Sequence, residues 1–384
     1  MDRKHYDDDH HAFGEAFRAF ADKSVVPNFA DYERAGITPH EIFAEAGRSG
    51  FLGMAVPEEY GGGGSADFRF NQILGEEVAD AGITGSGLGL TLHNDICLPY
   101  FLSYADEEQK RRWLPGIASG ELVTAIAMTE PGAGSDLAGM RTRAERDGDD
   151  YVVNGAKTFI TNGINADLVI TAVQTGGEAD DRRGGMSLLV LERGMVGFER
   201  GRNLEKLGLH SQDTAELSFT DVRVPAANRL GEDGGGFGYL AAKLPQERVS
   251  IAIAAIAEAT AAFRETLRYV QDRTAFTKPV ASFQNTKFAL ADMATDIDVA
   301  QAYVDRCVDR LNAGELSAAD ASKAKYHCSE LQGRVVDRCL QLHGGYGYMT
   351  EYPIARRYAD ARITRIYGGT SEIMKSVISK SLGI

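Results

Sequence analysis

Apolar positions change their period twice along the chain. Up to about residue 121 they recur every three or four residues, as in 39–54 (PHEIFAEAGRSGFLGM) and 68–82 (FRFNQILGEEVADAG), which is the mark of amphipathic helices. Thr38, Pro39 and Glu41 have the composition of a helix N-terminus: a cap, a proline in the first turn and an early acid. The glycine run 61–64 breaks the pattern and predicts a loop. Between about 122 and 234 the segments become short and β-branched: 122–129 (LVTAIAMT), 151–162 (YVVNGAKTFITN), 168–175 (LVITAVQT), 186–192 (MSLLVLE) and 215–224 (AELSFTDVRV). No helical pattern separates them, so they predict a small antiparallel β-domain, with 176–185 as a polar turn. From 235 the helical period returns. A first helix runs from Phe237 to near Arg273, and its Ala and Ile residues at 251–262 predict packing on several sides. Further helices are expected at Phe283–Asn312, Ala318–His343 and Ser371–Ser381. The reading is an α+β protein: an N-terminal α-helical domain at 1–121, a middle antiparallel β-domain at 122–234 and a C-terminal four-helix bundle at 235–384.

Composition narrows the class without changing the architecture. With 384 residues, 43% hydrophobic and 25% charged, the chain is an ordinary globular protein with ample material for a core. Acidic residues outnumber basic ones 55 to 41, a net charge of −14, which argues against nucleic acid as a partner. The longest strongly apolar stretch without charge is Val249–Ala257, far short of the ~20 residues that a spanning helix needs, so no membrane span is expected. The start of the chain, with Arg3, Lys4 and the acids Asp7, Asp8 and Asp9, has neither an apolar signal region nor the acid-poor composition of a transit peptide. The cysteines Cys97, Cys307, Cys328 and Cys339 show no paired spacing and read as buried thiols in a reducing cytoplasm. Scattered histidines predict no metal site.

Common catalytic motifs are missing. There is no P-loop, no HExxH and no GxSxG, and the GxGxxA variants at Gly61 and Gly236 follow no strand. Four other segments carry more information. In 127–139 (AMTEPGAGSDLAG), Pro131, Gly132 and Gly134 force an irregular turn after a strand, able to aim N–H groups at an anion or a heteroaromatic edge. In 157–163 (KTFITNG), Phe159 offers an aromatic face and Thr161 a hydroxyl. Gly344 and Gly345 end a helix before Tyr352-Pro353 begins a new segment. A turn at 365–369 feeds a last helix capped by Thr370 or Ser371, and such a helix N-terminus suits a phosphate. Taken singly, these segments also read as a plain turn, a half-buried strand and helical hairpins.

In this order and spacing, the segments resemble the acyl-CoA dehydrogenase family over nearly the whole chain. Residues 127–139 follow its first signature, and 341–360 its second, with Glu351, Arg356 and Asp360 at the expected intervals. The resemblance implies tetramers with one FAD per subunit, acyl-CoA as substrate and an electron-transfer flavoprotein as acceptor. It places Met128, Thr129, Phe159 and Thr161 around the flavin ring, and Gln341, Gly345, Thr370 and Glu372 at the remaining FAD positions. Arg273, Phe276 and Gln284 match a cofactor segment lent by a neighbouring subunit. Ser135 matches a position near the CoA moiety. Arg248, Tyr367 and Gly369 join it as substrate-binding candidates.

Desaturating a thioester requires a base for the α-proton while hydride leaves the β-carbon, and a carboxylate raised by burial suits that task. Many members place it in a Tyr-Glu-Gly-Thr sequence. Here the same site reads Tyr367-Gly368-Gly369-Thr370. Glu247, in the run 244–248 (LPQER), is the replacement candidate, because long-chain and isovaleryl members carry the base at this helix position and a small residue at the other. Gly368 keeps its N–H for the thioester carbonyl. Both sites flank one α-carbon, so exchanging Glu247 for Gly and Gly368 for Glu should restore some activity. The pattern is most like the long-chain enzymes, with medium- or long-chain fatty acyl-CoA as substrate and branched-chain acyl-CoA as the alternative. A flavin monooxygenase on the same fold and a catalytically silent acyl-CoA-binding subunit are the competing functions. The retained Glu247 and Ser135 count against the first, and the complete set of FAD positions against the second.

Overall fold

The computed structural model of the chain describes residues 3–176 and 185–384; the polar turn expected at 176–185 lies largely outside them. The N-terminal part is helical: α1 (Asp8–Phe20), α2 (Phe29–Ala35), α3 (His40–Arg48), α4 (Arg69–Asp80), α5 (Thr84–Thr91), α6 (Leu98–Tyr104) and α7 (Glu107–Ser119). A π-helical stretch, Leu92–Cys97, joins α5 to α6. The glycine run falls in the expected break between α3 and α4. Asp106 and Gln109 form a reciprocal capping box at the start of α7, and Gly120 ends it. That glycine is required twice over: its φ is +73°, and a Cβ there would lie 2.1 Å from the Phe43 carbonyl oxygen. One expectation needs correcting. Thr38 does not cap α3; Pro39 holds the cap position, and the buried Thr38 hydroxyl donates to the Ser211 carbonyl and pairs with the Ser86 hydroxyl at 2.8 Å.

The middle part holds β1 (Thr124–Ala127), β2 (Arg143–Asp147), β3 (Asp150–Thr161), β4 (Leu168–Gln174), β5 (Met186–Glu192), β6 (Phe198–Asn203), β7 (Thr214–Pro225) and β8 (Arg229–Leu230). Among the described residues these form one sheet in the order β6-β7-β3-β2-β4-β5-β8, with β1 beside β4. Most ladders are antiparallel, as the pattern predicts, but β1 and β2 both run parallel to β4. Ile170, Leu188 and Val190 on one face pack on Tyr100, Phe101 and Trp113 of α6 and α7. On the other face, Val169, Leu189 and Leu191 join Phe219 and Val222 of β7. His93 ties the helices to the sheet: its Nδ1 accepts from Thr124 N–H, and its Nε2 donates to the Ile117 carbonyl. Burial pushes this imidazole down to about 4, so it is neutral.

The C-terminal part contains α8 (Gly236–Asp272), a hairpin of β9 (Thr274–Ala275) and β10 (Lys278–Pro279), then α9 (Gln284–Asn312), α10 (Ala318–His343), α11 (Pro353–Ala361) and α12 (Ser371–Ser381). Helices α8, α9 and α10 pack on one another, α12 closes on α10, and α4 lies on a further flank of α8. That is why α8 is Ala-rich: Ala252, Ala255, Ala259 and Ala262 meet Leu331 and Val335 of α10 and Val304 of α9 in one core. All four cysteines are buried and free. No described helix is long and apolar enough to cross a membrane, and no cluster of metal-ligating side chains occurs among the described residues.

Candidate active site

Residues from all three parts meet around a cavity of about 140 Å³. The N-terminal helices contribute Leu92 and Ile96, the sheet Met128, Thr129, Phe159 and Thr161, and the C-terminal part Glu247, Ile251, Tyr367 and Gly368. Seven residues singled out from the sequence therefore share one space.

The turn after β1 is fixed from β3. Lys157, fully buried, donates to the Met128 carbonyl at 3.1 Å and to Glu130 Oε1 at 2.9 Å. Thr158 N–H donates to the Thr129 carbonyl. The β3–β7 register shifts between Lys157 and Ile160, and Phe159 sits there at φ +61° with 67% of its surface exposed. A bulge of this kind re-aims a side chain away from the sheet. Phe159 lines both this cavity and a larger, mainly apolar one of about 370 Å³ formed with Leu209, Ile363, Ile366 and Tyr367. A bare aromatic face between two such spaces fits the planar ring of FAD, and Thr161 stands at its edge with a hydroxyl.

Glu247 lies in α8 two residues after Pro245, is 4% exposed and still lines the cavity. Its Oε1 accepts from the Tyr100 hydroxyl at 2.8 Å. Burial pushes its carboxyl up to about 7, with Tyr100 and Arg248 opposing the rise. Such a group is ionised near neutrality and basic enough to accept a proton. Gly368 faces it from the loop before α12, at φ +62°, and its N–H has no acceptor among the described residues. The loop is held from below: Lys325 donates to the Gly369 carbonyl at 2.5 Å, and the Thr370 side chain caps α12 by accepting from Ile373 N–H.

Other expected residues lie elsewhere. Arg273, Gln341 and Gly345 line a separate groove of about 530 Å³ at the end of α10. Arg273 stacks over Tyr346, 5.2 Å from its centroid. Phe276 projects from the β9–β10 hairpin with 88% of its surface bare, and Gln284 opens α9 in an exposed position. Glu372 is exposed in the first turn of α12. Ser135 is exposed in the turn after β1. Arg248 turns away from the cavity toward α10 and donates to Ser322 Oγ at 3.2 Å, so within this chain it backs the site and does not line it. Nothing in the sequence pattern sets Tyr100, Ile251 or Lys325 apart from ordinary helix residues. Only Lys157, beside the Thr-Phe-Ile-Thr run, had a visible sequence context.

The family model described as "Acyl-CoA dehydrogenase, N-terminal domain" matches residues 7–121, the "middle domain" model 125–222 and the "C-terminal domain" model 234–383. This chain belongs to the acyl-CoA dehydrogenase family. Members of that family are FAD-dependent oxidoreductases that act on acyl-CoA thioesters. Over 380 residues the chain is 47% identical to the mitochondrial long-chain specific acyl-CoA dehydrogenase of Sus scrofa, covering 99% of this chain and 88% of that protein. Among solved structures, an acyl-CoA dehydrogenase from Geobacillus kaustophilus superposes with a TM-score of 0.96 at 50% identity, covering 99% of this chain and all of that one. A glutaryl-CoA dehydrogenase from Mycobacterium smegmatis in complex with FADH2 superposes at 0.90 with 29% identity, over 99% and 95% of the two chains.

Proposed function

We propose that this acyl-CoA dehydrogenase converts a medium- or long-chain fatty acyl-CoA to its trans-2-enoyl-CoA with Glu247 as base, and passes the electrons to an electron-transfer flavoprotein. The observation that carries the reading is the buried Glu247 carboxylate facing the same cavity as Gly368, which carries no carboxylate of its own. FAD, when bound, supplies the hydride acceptor. Glu247 takes the α-proton: the α C–H bond breaks and an O–H bond forms on the carboxylate, the freed pair is shared with the thioester carbonyl and ends as the Cα–Cβ double bond, and the β C–H bond breaks with its pair leaving as hydride. The Gly368 N–H receives the thioester oxygen as negative charge grows there. Met128, Thr129, Phe159 and Thr161 hold the ring, and Thr370 and Glu372 stand at the α12 terminus. Ser135 meets the CoA moiety, and Tyr367 and Gly369 flank the acyl end.

The likeness to the Sus scrofa long-chain enzyme supports the chain length, while Ile251 and Leu92 wall the cavity with apolar surface. A branched acyl-CoA is the second reading, favoured by the missing side chain at position 368. We place the domain boundaries at 121/122 and 234/235 and the protein in the cytoplasm. We further assign it a homotetrameric state: Phe276, Tyr346, Tyr348 and Met349 leave much apolar surface bare beside the Arg273 groove. A neighbouring subunit that covers this patch would bring Arg273, Phe276 and Gln284 to a shared cofactor.

Anaerobic titration with butyryl-, octanoyl-, palmitoyl- and isovaleryl-CoA tests the reading. The flavin absorbance of the purified protein should bleach most with a medium or long chain. Glu247→Gln should retain FAD and bleach at least about 1,000-fold more slowly, in keeping with loss of a general base. Near-normal bleaching by that variant would remove Glu247 from the role.

A further inference from the structure

The base is gripped by a residue that lies outside the cavity. Tyr100 is fully buried in α6, and its hydroxyl donates to Glu247 Oε1 at 2.8 Å. Pro99 stands in the first turn of this helix, and Tyr100 and Phe101 are built into the core with Trp113. The phenol is therefore anchored on a rigid wall from the N-terminal part, while the carboxylate comes from α8. Carboxylates of buried, long side chains need such an anchor, since a base must reach one carbon in one direction.

We propose that Tyr100 is the positioning residue of the catalytic base: its hydroxyl fixes one oxygen of the Glu247 carboxylate and thereby holds the other ready for the α-proton. This rests on the reading of Glu247 as base. Tyr100 keeps its own proton throughout, because burial pushes its phenol far above its ordinary value, followed by the nearby Glu247 charge. A bond donated to the ionised carboxylate favours that form and opposes the effect of burial. Once Glu247 has taken the α-proton, the same bond weakens, which favours passing the proton on.

The other groups around Glu247 are distinct in kind. Arg248 follows it on α8, and Cys97 lies on the π-helical stretch, its thiol kept neutral by burial. Asp95 on that stretch is engaged by Ser250 and Asn71. Lys325 of α10 feels the charge of Arg248 and bonds to the Gly369 carbonyl. Tyr367 shares the cavity. Among the described residues, only Tyr100 makes a hydrogen bond to the carboxylate of Glu247.

The test is the pH profile of kcat/KM for palmitoyl-CoA, taken on the flavin-loaded protein with Tyr100→Phe and with 3,5-difluorotyrosine installed at position 100. Removing the donor should move the acid limb up by about one pH unit, so that at pH 6 the Phe variant is about tenfold slower. The fluorinated phenol, a stronger donor of nearly the same shape, should move the limb down. Flavin content should stay the same in both. A limb that neither variant moves, or that both move in one direction, overturns the proposal and leaves Tyr100 as packing. If Tyr100→Phe fails to fold, the fluorinated protein alone still decides by the direction of its shift. Glu247→Gln separates the two claims: full turnover there defeats the base itself, whereas a dead Glu247→Gln with an unmoved limb in the Tyr100 proteins defeats only the anchor.

Discussion

At the residue scale, Gly368, which carries no carboxylate, is not an empty slot. A Cβ placed on Gly368 would lie 2.2 Å from Ile251 Cδ1, and Ile251 follows Glu247 by one helical turn. The backbone at 368 is also left-handed, a conformation that costs a residue with a side chain about 1–2 kcal/mol. Moving the base from 247 to 368 thus requires the flexible tip of Ile251 to give way, a requirement invisible in the sequence. The double variant Glu247→Gly with Gly368→Glu should bleach with acyl-CoA only feebly. Adding Ile251→Ala should raise its rate about tenfold or more, while the backbone cost keeps it at least about tenfold below the natural protein. Stopped-flow flavin reduction would measure both steps, and equal rates with and without Ile251→Ala would show that Ile251 is no barrier. Glu247 and Gly368 could be read from the sequence because one motif lacks an acid and another supplies it. Tyr100 and Ile251 could not: each is an ordinary core residue until the fold sets it beside a partner, and Tyr100 meets Glu247 across 147 residues.

At the element scale, period and punctuation located the long helices almost to the residue. Ala318–His343 and Ser371–Ser381 have the expected bounds, and Thr370 is the cap. Within the large sheet, the strands without a sequence signal are β2, β6 and β8. Most of β2 and β6 is exposed and charged, and β8 is two residues long, so neither alternation nor an apolar run marks them. They exist because the β3–β7 and β4–β5 pairs offer edges to bond to. The turn after β1 is likewise a product of two elements. Lys157 on β3 and Glu130 after β1 are 1% and 7% exposed; burial draws the ammonium down to about 8, against the pull of Glu130. Lys157→Met should leave a buried carboxylate without its cation and destabilise the protein by about 3–5 kcal/mol, whereas Lys157→Met with Glu130→Gln should recover much of that loss. Chemical denaturation gives the stability and bound flavin the state of the turn. A single variant as stable as the natural protein would show that the pair does not lock it.

At the scale of the whole molecule, Glu247, the proposed base, belongs with Asp95 and Asp360 to a set of buried carboxyls that each join parts of the chain far apart in sequence. Asp95 binds Asn71 of α4 and Ser250 of α8, Glu247 meets Tyr100 of α6, and Asp360 of α11 accepts from Leu209 N–H in the loop between β6 and β7. Burial, the largest influence on each, pushes all three up to about 7. Unfolded carboxyls titrate near ~4, so between about pH 4 and 7 these three hold more protons in the folded protein than in the unfolded chain, and their contribution to stability falls as pH rises through that window, against a smaller rise below about pH 6.5 from the neutral His93. The growing excess of negative charge on a chain already at −14 acts in the same direction. Lys157 and Lys325, held near 8 by burial, give stability back only above that pH. Between pH 6 and 7.5 each carboxyl should cost about 1 kcal/mol, so the flavin-loaded protein should melt at a lower temperature at pH 7.5 than at pH 6. Asp95→Asn, which leaves the base in place, should flatten the slope by about a third. A melting temperature that rises across this interval would mean that the three acids are already ionised at pH 6, and the domain junctions would then have to be held by charges that the surrounding side chains neutralise.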